Sequence, residues 1–144
     1  MTLAGGLGVA HRKSHMAKSK VPTTHATAAQ CAADMEQLAV CGSLLTELGS
    51  EKLTIRQLLF FYAVAYHDLR NLSVNIPAIR ELYPTVGRAI EKSKETLFPP
   101  SKHNPDGLGW IEQIHDEDDR RMRWLKLTPK GRQVAEALSV ALRS

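Results

Sequence analysis

The sequence predicts a mainly α fold carrying one small β-hairpin, an α+β chain, and three observations predict it. Apolar residues recur at spacings of three and four over residues 27–48 and again near the C-terminus, the period of helices that bury one face. Two runs of period-two apolar character, Trp110, Ile111, Ile114 and then Met122, Trp124, Leu125, Leu127, flank the charged stretch Asp116-Glu117-Asp118-Asp119-Arg120-Arg121 as two strands flank a turn. Thr128-Pro129 closes the second run and opens a helix, because a Thr hydroxyl caps orphan amides and Pro needs no donor at the first helical position.

A chain of 144 residues suits one folded domain, placed at residues 26–144 behind a disordered basic arm at residues 1–25. The arm is rich in Gly, Ser, Lys and His and has no sustained period. Its apolar start precedes its basic residues, the reverse of a secretory signal. Cys31 and Cys41 are too few for a disulfide framework, so an intracellular, reducing compartment is expected. No apolar run approaches the roughly 20 residues that a membrane span needs, which excludes the membrane as a partner.

The formal charge of +4 is placed unevenly. Arg12, Lys13, Lys18 and Lys20 are four of the 19 basic residues and lie in an acid-free stretch, so the remaining 15 face 15 acids. Overall charge therefore says little about partners. The segregated run Arg120, Arg121, Arg123, Lys126, Lys130 and Arg132, with no acid among them, says more, since it can supply a one-sided basic surface.

Taken in order, Cys31, Met35, Leu38, Cys41, Leu45 and Leu48 draw one stripe along a first helix, with both cysteines as buried small hydrophobes on it. Gly49-Ser50 breaks the pattern. Thr54 and Gln57 stand at capping-box spacing with Leu53 and Leu58 as a hydrophobic staple, opening a core helix from Ile55 to about His67. Asp68 to Asn71 reads as a polar turn, and Leu72-Ser73-Val74 as a short strand able to pair with the hairpin. Asn75 caps a helix from Ile76 to Leu82, with Pro77 in its first turn, and a further helix is expected from Pro84 to about Leu97. In that helix Val86, Ile90 and Leu97 face inward while Thr85, Gly87, Arg88, Glu91 and Lys92 face outward. Pro99-Pro100 ends it and begins an insert, 98–106, read as a surface loop. A last helix, Pro129 to about Arg143, aligns Val134, Ala137, Leu138, Ala141 and Leu142.

The spacing Asp116-x-x-Asp119-x-Arg121 followed by Leu127-Thr128-Pro129-Lys130-Gly131-Arg132 resembles the wing and following helix of the MarR family of winged helix-turn-helix regulators. Thr85-Val86-Gly87-Arg88 is similar to the start of that family's recognition helix. The resemblance implies a winged helix-turn-helix with N- and C-terminal dimerisation helices, spanning roughly residues 27–143. It also implies that Asp119 braces Arg121 for a minor groove while Asp116 braces the turn. Two departures stand beside it: Tyr83-Pro84 lacks the family's Gly and Ser/Asn cap, and the insert interrupts the passage into the wing.

The chemistry of these residues fits a duplex. Arg88 is able to donate two hydrogen bonds to guanine, Thr85 to reach a phosphate or a thymine methyl, and Gly87 to allow close backbone approach. Lys92 and Lys94 suit phosphates, as do Arg120 and Arg123 flanking Arg121. Six histidines, at 11, 15, 25, 67, 103 and 115, form no persuasive metal spacing, and there is no Gly-rich phosphate loop, nucleophile elbow or HExxH. No enzyme activity, metal or cofactor is expected.

The expected function is a cytoplasmic, nucleoid-associated transcriptional regulator, a homodimer that binds a palindromic site in double-stranded DNA and represses by occlusion. The alternative is a winged-helix module that recruits a protein partner in replication, plasmid or phage control. The resemblance also implies a small aromatic or anionic effector between dimerisation and DNA-binding regions; Tyr62 and Tyr66 are able to line such a pocket, though core packing is the use their setting favours.

Overall fold

The computed structural model describes residues 25–87 and 90–143. Among the described residues six helices and two strands follow one another: α1 Ala28–Leu48, α2 Ile55–Leu69, α3 Ile76–Leu82, α4 Pro84–Gly87, α5 Ile90–Leu97, β1 Ile111–His115, β2 Arg123–Leu127 and α6 Pro129–Leu142. The architecture is mainly α with a two-stranded antiparallel hairpin in a winged-helix-like arrangement. The arm lies outside the described residues except for His25, and so does Arg88. Among the described residues, no helix is long and apolar enough to cross a membrane.

Local chemistry sets most helix starts. Thr27, Thr54, Asn75 and Thr128 each accept a backbone N–H from three residues ahead, and Gln57 returns the bond to the Thr54 N–H, completing the capping box. Each such cap stabilises by about 1 kcal/mol. The α3–α4 connection works without the usual cap residues, since the Tyr83 carbonyl accepts the N–H groups of Val86 and Gly87 at 2.9 and 3.1 Å.

Helix α2 forms the centre. Phe60, Phe61 and Val64 are fully enclosed with Ile79 of α3, Val86, Ile90, Leu97, Trp110, Ile111 and Leu125 around them. The Phe61 and Trp110 rings meet at 5.1 Å with planes tilted by 60°. α2 runs further than the expected stop at His67. It ends in a Schellman motif in which Asn71, at φ 60, lets Leu72 N–H reach the His67 carbonyl at 2.8 Å and Asn71 N–H reach that of Asp68. Asp68 is therefore a helical residue and not part of a polar turn.

Three further expectations need correction. Leu72–Val74 forms no strand; the Val74 carbonyl accepts a single β2 bond, from Leu125 N–H at 2.8 Å. Cys31 is exposed and only Cys41 is buried, because within one chain just Cys41 and Leu45 of the α1 stripe are covered. The α6 face of Val134, Ala137, Leu138, Ala141 and Leu142 reads from the sequence as suited to dimer packing, but Val134 and Leu138 are spent on the chain's own core, whereas Leu142, and Val140 beside it, stay exposed.

The insert turns out to finish α5. Pro99 and Pro100 have no N–H to offer the Glu95 and Thr96 carbonyls, which the next helical turn would otherwise satisfy. The chain returns to supply the donors: Asn104 Nδ2 to Glu95, Leu108 N–H to Thr96 at 2.9 Å, Trp110 N–H to Leu97 at 2.8 Å and Gly109 N–H to Phe98 at 3.1 Å. Thus the loop caps the helix and delivers Trp110 into the core.

Candidate nucleic-acid interface

The hairpin pairs Ile111 with Leu127 at its root and His115 with Arg123 at its outer end, leaving residues 116–122 as the tip. The tip is internally bonded by its acids. Asp116 accepts the Asp118 backbone N–H at 2.8 Å and the Trp124 indole N–H at 3.0 Å. These donors, the Asp118 amide first, hold its carboxyl below the usual carboxylate range. Asp119 accepts the Arg121 backbone N–H at 3.0 Å and its Nε–H at 3.4 Å. The Arg121 side chain is still 91% exposed, so its outer guanidinium nitrogens project into solvent while its base is tethered. Arg120 and Arg123 are exposed beside it.

Not every basic residue of the segregated run is free in the same way. Lys126 and Arg132 lie 3.4 and 3.9 Å from opposite oxygens of the buried Asp68 carboxylate, whereas Arg120, Arg121 and Arg123 at the tip and Lys130 at the start of α6 are exposed. Asp68 also accepts the Leu127 N–H at 3.0 Å. Sequence reading missed this residue because the bond spans 59 positions and no local pattern announces it.

On the helical side, Thr85 and Lys92 are exposed as expected. Gly87 is not an open approach surface. A Cβ there would stand 3.2 Å from Arg80 Cα, so the glycine serves the close crossing of α4 and α3. Glu91 is bridged by Lys94 at 2.8 Å and Arg80 at 3.5 Å, and the Lys94 hydrogen bond leads in holding its carboxyl below the ordinary value. Lys94 is thereby engaged and not a free phosphate ligand. Arg80 was overlooked in the sequence; its signal is the Ile76, Ile79 spacing, which turns position 80 outward on α3.

Tyr62 and Tyr66 stand one turn apart on α2. Tyr62 is half-exposed, with its phenol pushed up by partial burial and then by Cys41. Tyr66 is covered by the Arg70 guanidinium, 5.4 Å from its ring centre. Neither is a core residue. A separate apolar groove of about 770 Å³ runs between α1 and α6, lined by Ala39, Val40, Leu44, Ala137, Val140 and Ala141 among others. Among the described residues, no group of three or more His, Cys, Asp or Glu side chains is gathered to hold a metal ion.

No family model matches the chain. No curated protein matches it either. Among solved structures it is similar to the crystal structure of RV1404 from Mycobacterium tuberculosis, with a TM-score of 0.52 and 17% identity over 85% of this chain and 79% of that one. At that identity the likeness is one of fold alone.

Proposed function

We propose that this protein is a sequence-specific double-stranded DNA-binding transcriptional regulator that works as a homodimer and represses by occluding a promoter. The carrying observation is the tip of the hairpin, where Asp119 tethers Arg121 and leaves its side chain 91% exposed between Arg120 and Arg123. An arginine held this way loses less rotamer freedom on entering a narrow minor groove. Thr85, Arg88 and Lys92 are the partners assigned to the major groove and its phosphates. Gly87 acts by letting α3 and α4 approach.

The homodimer is supported by what one chain leaves uncovered. Met35, Leu38, Val40 and Leu48 of α1, with Val140 and Leu142 of α6, are all exposed by more than a third. Apolar side chains left exposed in this number on two adjacent helices are suited to a second copy.

The test is selection of genomic fragments by the full chain, followed by affinity measurements on the enriched site. A palindrome with half-sites about one helical turn apart is expected, with Arg121→Ala and Arg88→Ala each weakening it by about 1–3 kcal/mol. Wild-type affinity in both variants overturns the groove assignments. Absence of any enriched fragment overturns the regulator reading in favour of a protein-recruiting winged helix.

A further inference from the structure

The outer edge of β2 is the edge of a two-stranded sheet, yet its root is not open. The N–H groups of Leu125 and Leu127, two residues apart, point to the same side. The first is taken by the Val74 carbonyl at 2.8 Å and the second by the Asp68 carboxylate at 3.0 Å. A third strand would supply two alternate carbonyls at these places; here a backbone carbonyl supplies one and a side chain on α2 the other. The same carboxylate, only 7% exposed, gathers Lys126 from β2 and Arg132 from α6.

We propose that Asp68 is a positioning residue for the wing: it stands in for the missing strand and fixes the hairpin root to α2 and α6, so that the angle of the tip is set from the core. A short strand has rotational freedom about a single anchoring bond. Two anchors on one edge remove it. The charge matters because a buried backbone N–H, an ammonium and a guanidinium converge on one group, and a neutral acceptor would satisfy the N–H while leaving both cations without a counter-charge. The effect on DNA binding rests on the regulator reading above; the effect on the hairpin does not.

The experiment compares wild type, Asp68→Asn and Asp68→Ala as full chains, at a temperature where circular dichroism finds all three folded. Amide hydrogen exchange is read at Leu125, Leu127 and the tip, and at α3 and α5 as internal controls. Faster exchange is expected at Leu127 by about tenfold or more in the Ala variant, the scale of losing a bond to a charged acceptor. The Asn variant, which keeps an acceptor, should fall between, and the controls should stay near wild type. Uniformly faster exchange in all regions, or wing exchange equal to wild type, overturns the proposal. Affinity for the enriched fragment should drop in the same order, Ala below Asn below wild type. If wild type binds no fragment the regulator reading fails, and the exchange pattern still decides whether Asp68 positions the hairpin. Should Asp68→Ala not fold, Asp68→Asn and Asp68→Glu carry the same comparison, with the displaced carboxylate of Glu expected to loosen Leu127.

Discussion

The Asp116 carboxylate accepts the Trp124 indole N–H at 3.0 Å, tying the first residue of the hairpin tip to the second strand. Its second oxygen accepts the Asp118 amide, and both bonds favour the ionised form. The folded carboxyl therefore titrates below the ordinary value of about 3.9. The stabilisation is present above that unfolded value and is lost as pH falls through the lower folded one. The indole N–H resonance of Trp124 should shift with a midpoint below about 3.9, and Asp116→Ala should abolish the transition. A midpoint at or above the ordinary value would show that the carboxylate is not bonded as described. Trp110, fully buried, serves as the unchanging reference.

Gly131, in the LTPKGR run, has a packing reason independent of any family. A Cβ there would run into the carbonyl of Trp110, which is backbone and receives the Thr128 N–H at 3.1 Å. Gly131→Ala should destabilise the fold by about 3 kcal/mol, the upper end for overpacking, because neither backbone is free to retreat. Chemical denaturation measures it. A loss under about 1 kcal/mol would mean that α6 starts further from Trp110 than the structure has it.

Asn104 donates to the Glu95 carbonyl that Pro99 leaves without a partner. Asn104→Ala should cost about 1 kcal/mol in stability, the net value of one such bond. Binding to an enriched DNA fragment should be unaffected. If stability is unchanged, water replaces the side chain and the insert's capping depends on its backbone donors alone.

What the sequence made legible follows from how far each interaction reaches. The Thr54, Asn75 and Thr128 caps close within three residues, so short-range pattern is enough to place them; the Thr27 cap closes over the same distance and goes unread. The two strands follow from alternation, whereas Asp119 as the brace of Arg121 follows only from the family resemblance, and the pairing register from the structure. Asp68 reads locally as part of a polar turn because its bonds to Leu127, Lys126 and Arg132 belong to another part of the chain. Sequence alone points Gly87 toward a ligand when its neighbour is Arg80, and Cys31 toward a core that one chain does not provide. Pro99-Pro100 announces a helix stop in the sequence, but the carbonyls it orphans find their donors only in three dimensions.

The exposed α1 face gives the dimer its own prediction. Leu38 is 56% exposed although it continues the stripe of Cys41 and Leu45, whose own side chains are buried within the chain. Leu38→Glu should leave the monomer fold intact and shift sedimentation at micromolar concentration from dimer to monomer, because a charge buried at such an interface has no counter-ion. A wild-type protein that sediments as a monomer removes the basis for palindromic recognition.

The Asp119 brace predicts a sign that simple charge counting gets wrong. Removing a carboxylate from a surface facing phosphates should, by long-range electrostatics alone, tighten binding. If the carboxylate's main effect is to hold Arg121 in its bound geometry, Asp119→Ala should weaken binding instead. The pair is exposed, so the brace is worth at most about 1 kcal/mol, or about fivefold in affinity. In an Arg121→Ala background there is nothing left to hold, and the same substitution should then be neutral or slightly tightening. A double-mutant cycle on the enriched fragment measures this reversal directly. Tighter binding by Asp119→Ala in both backgrounds would reduce Asp119 to a repulsive neighbour, and Arg121 would then act as an unguided charge.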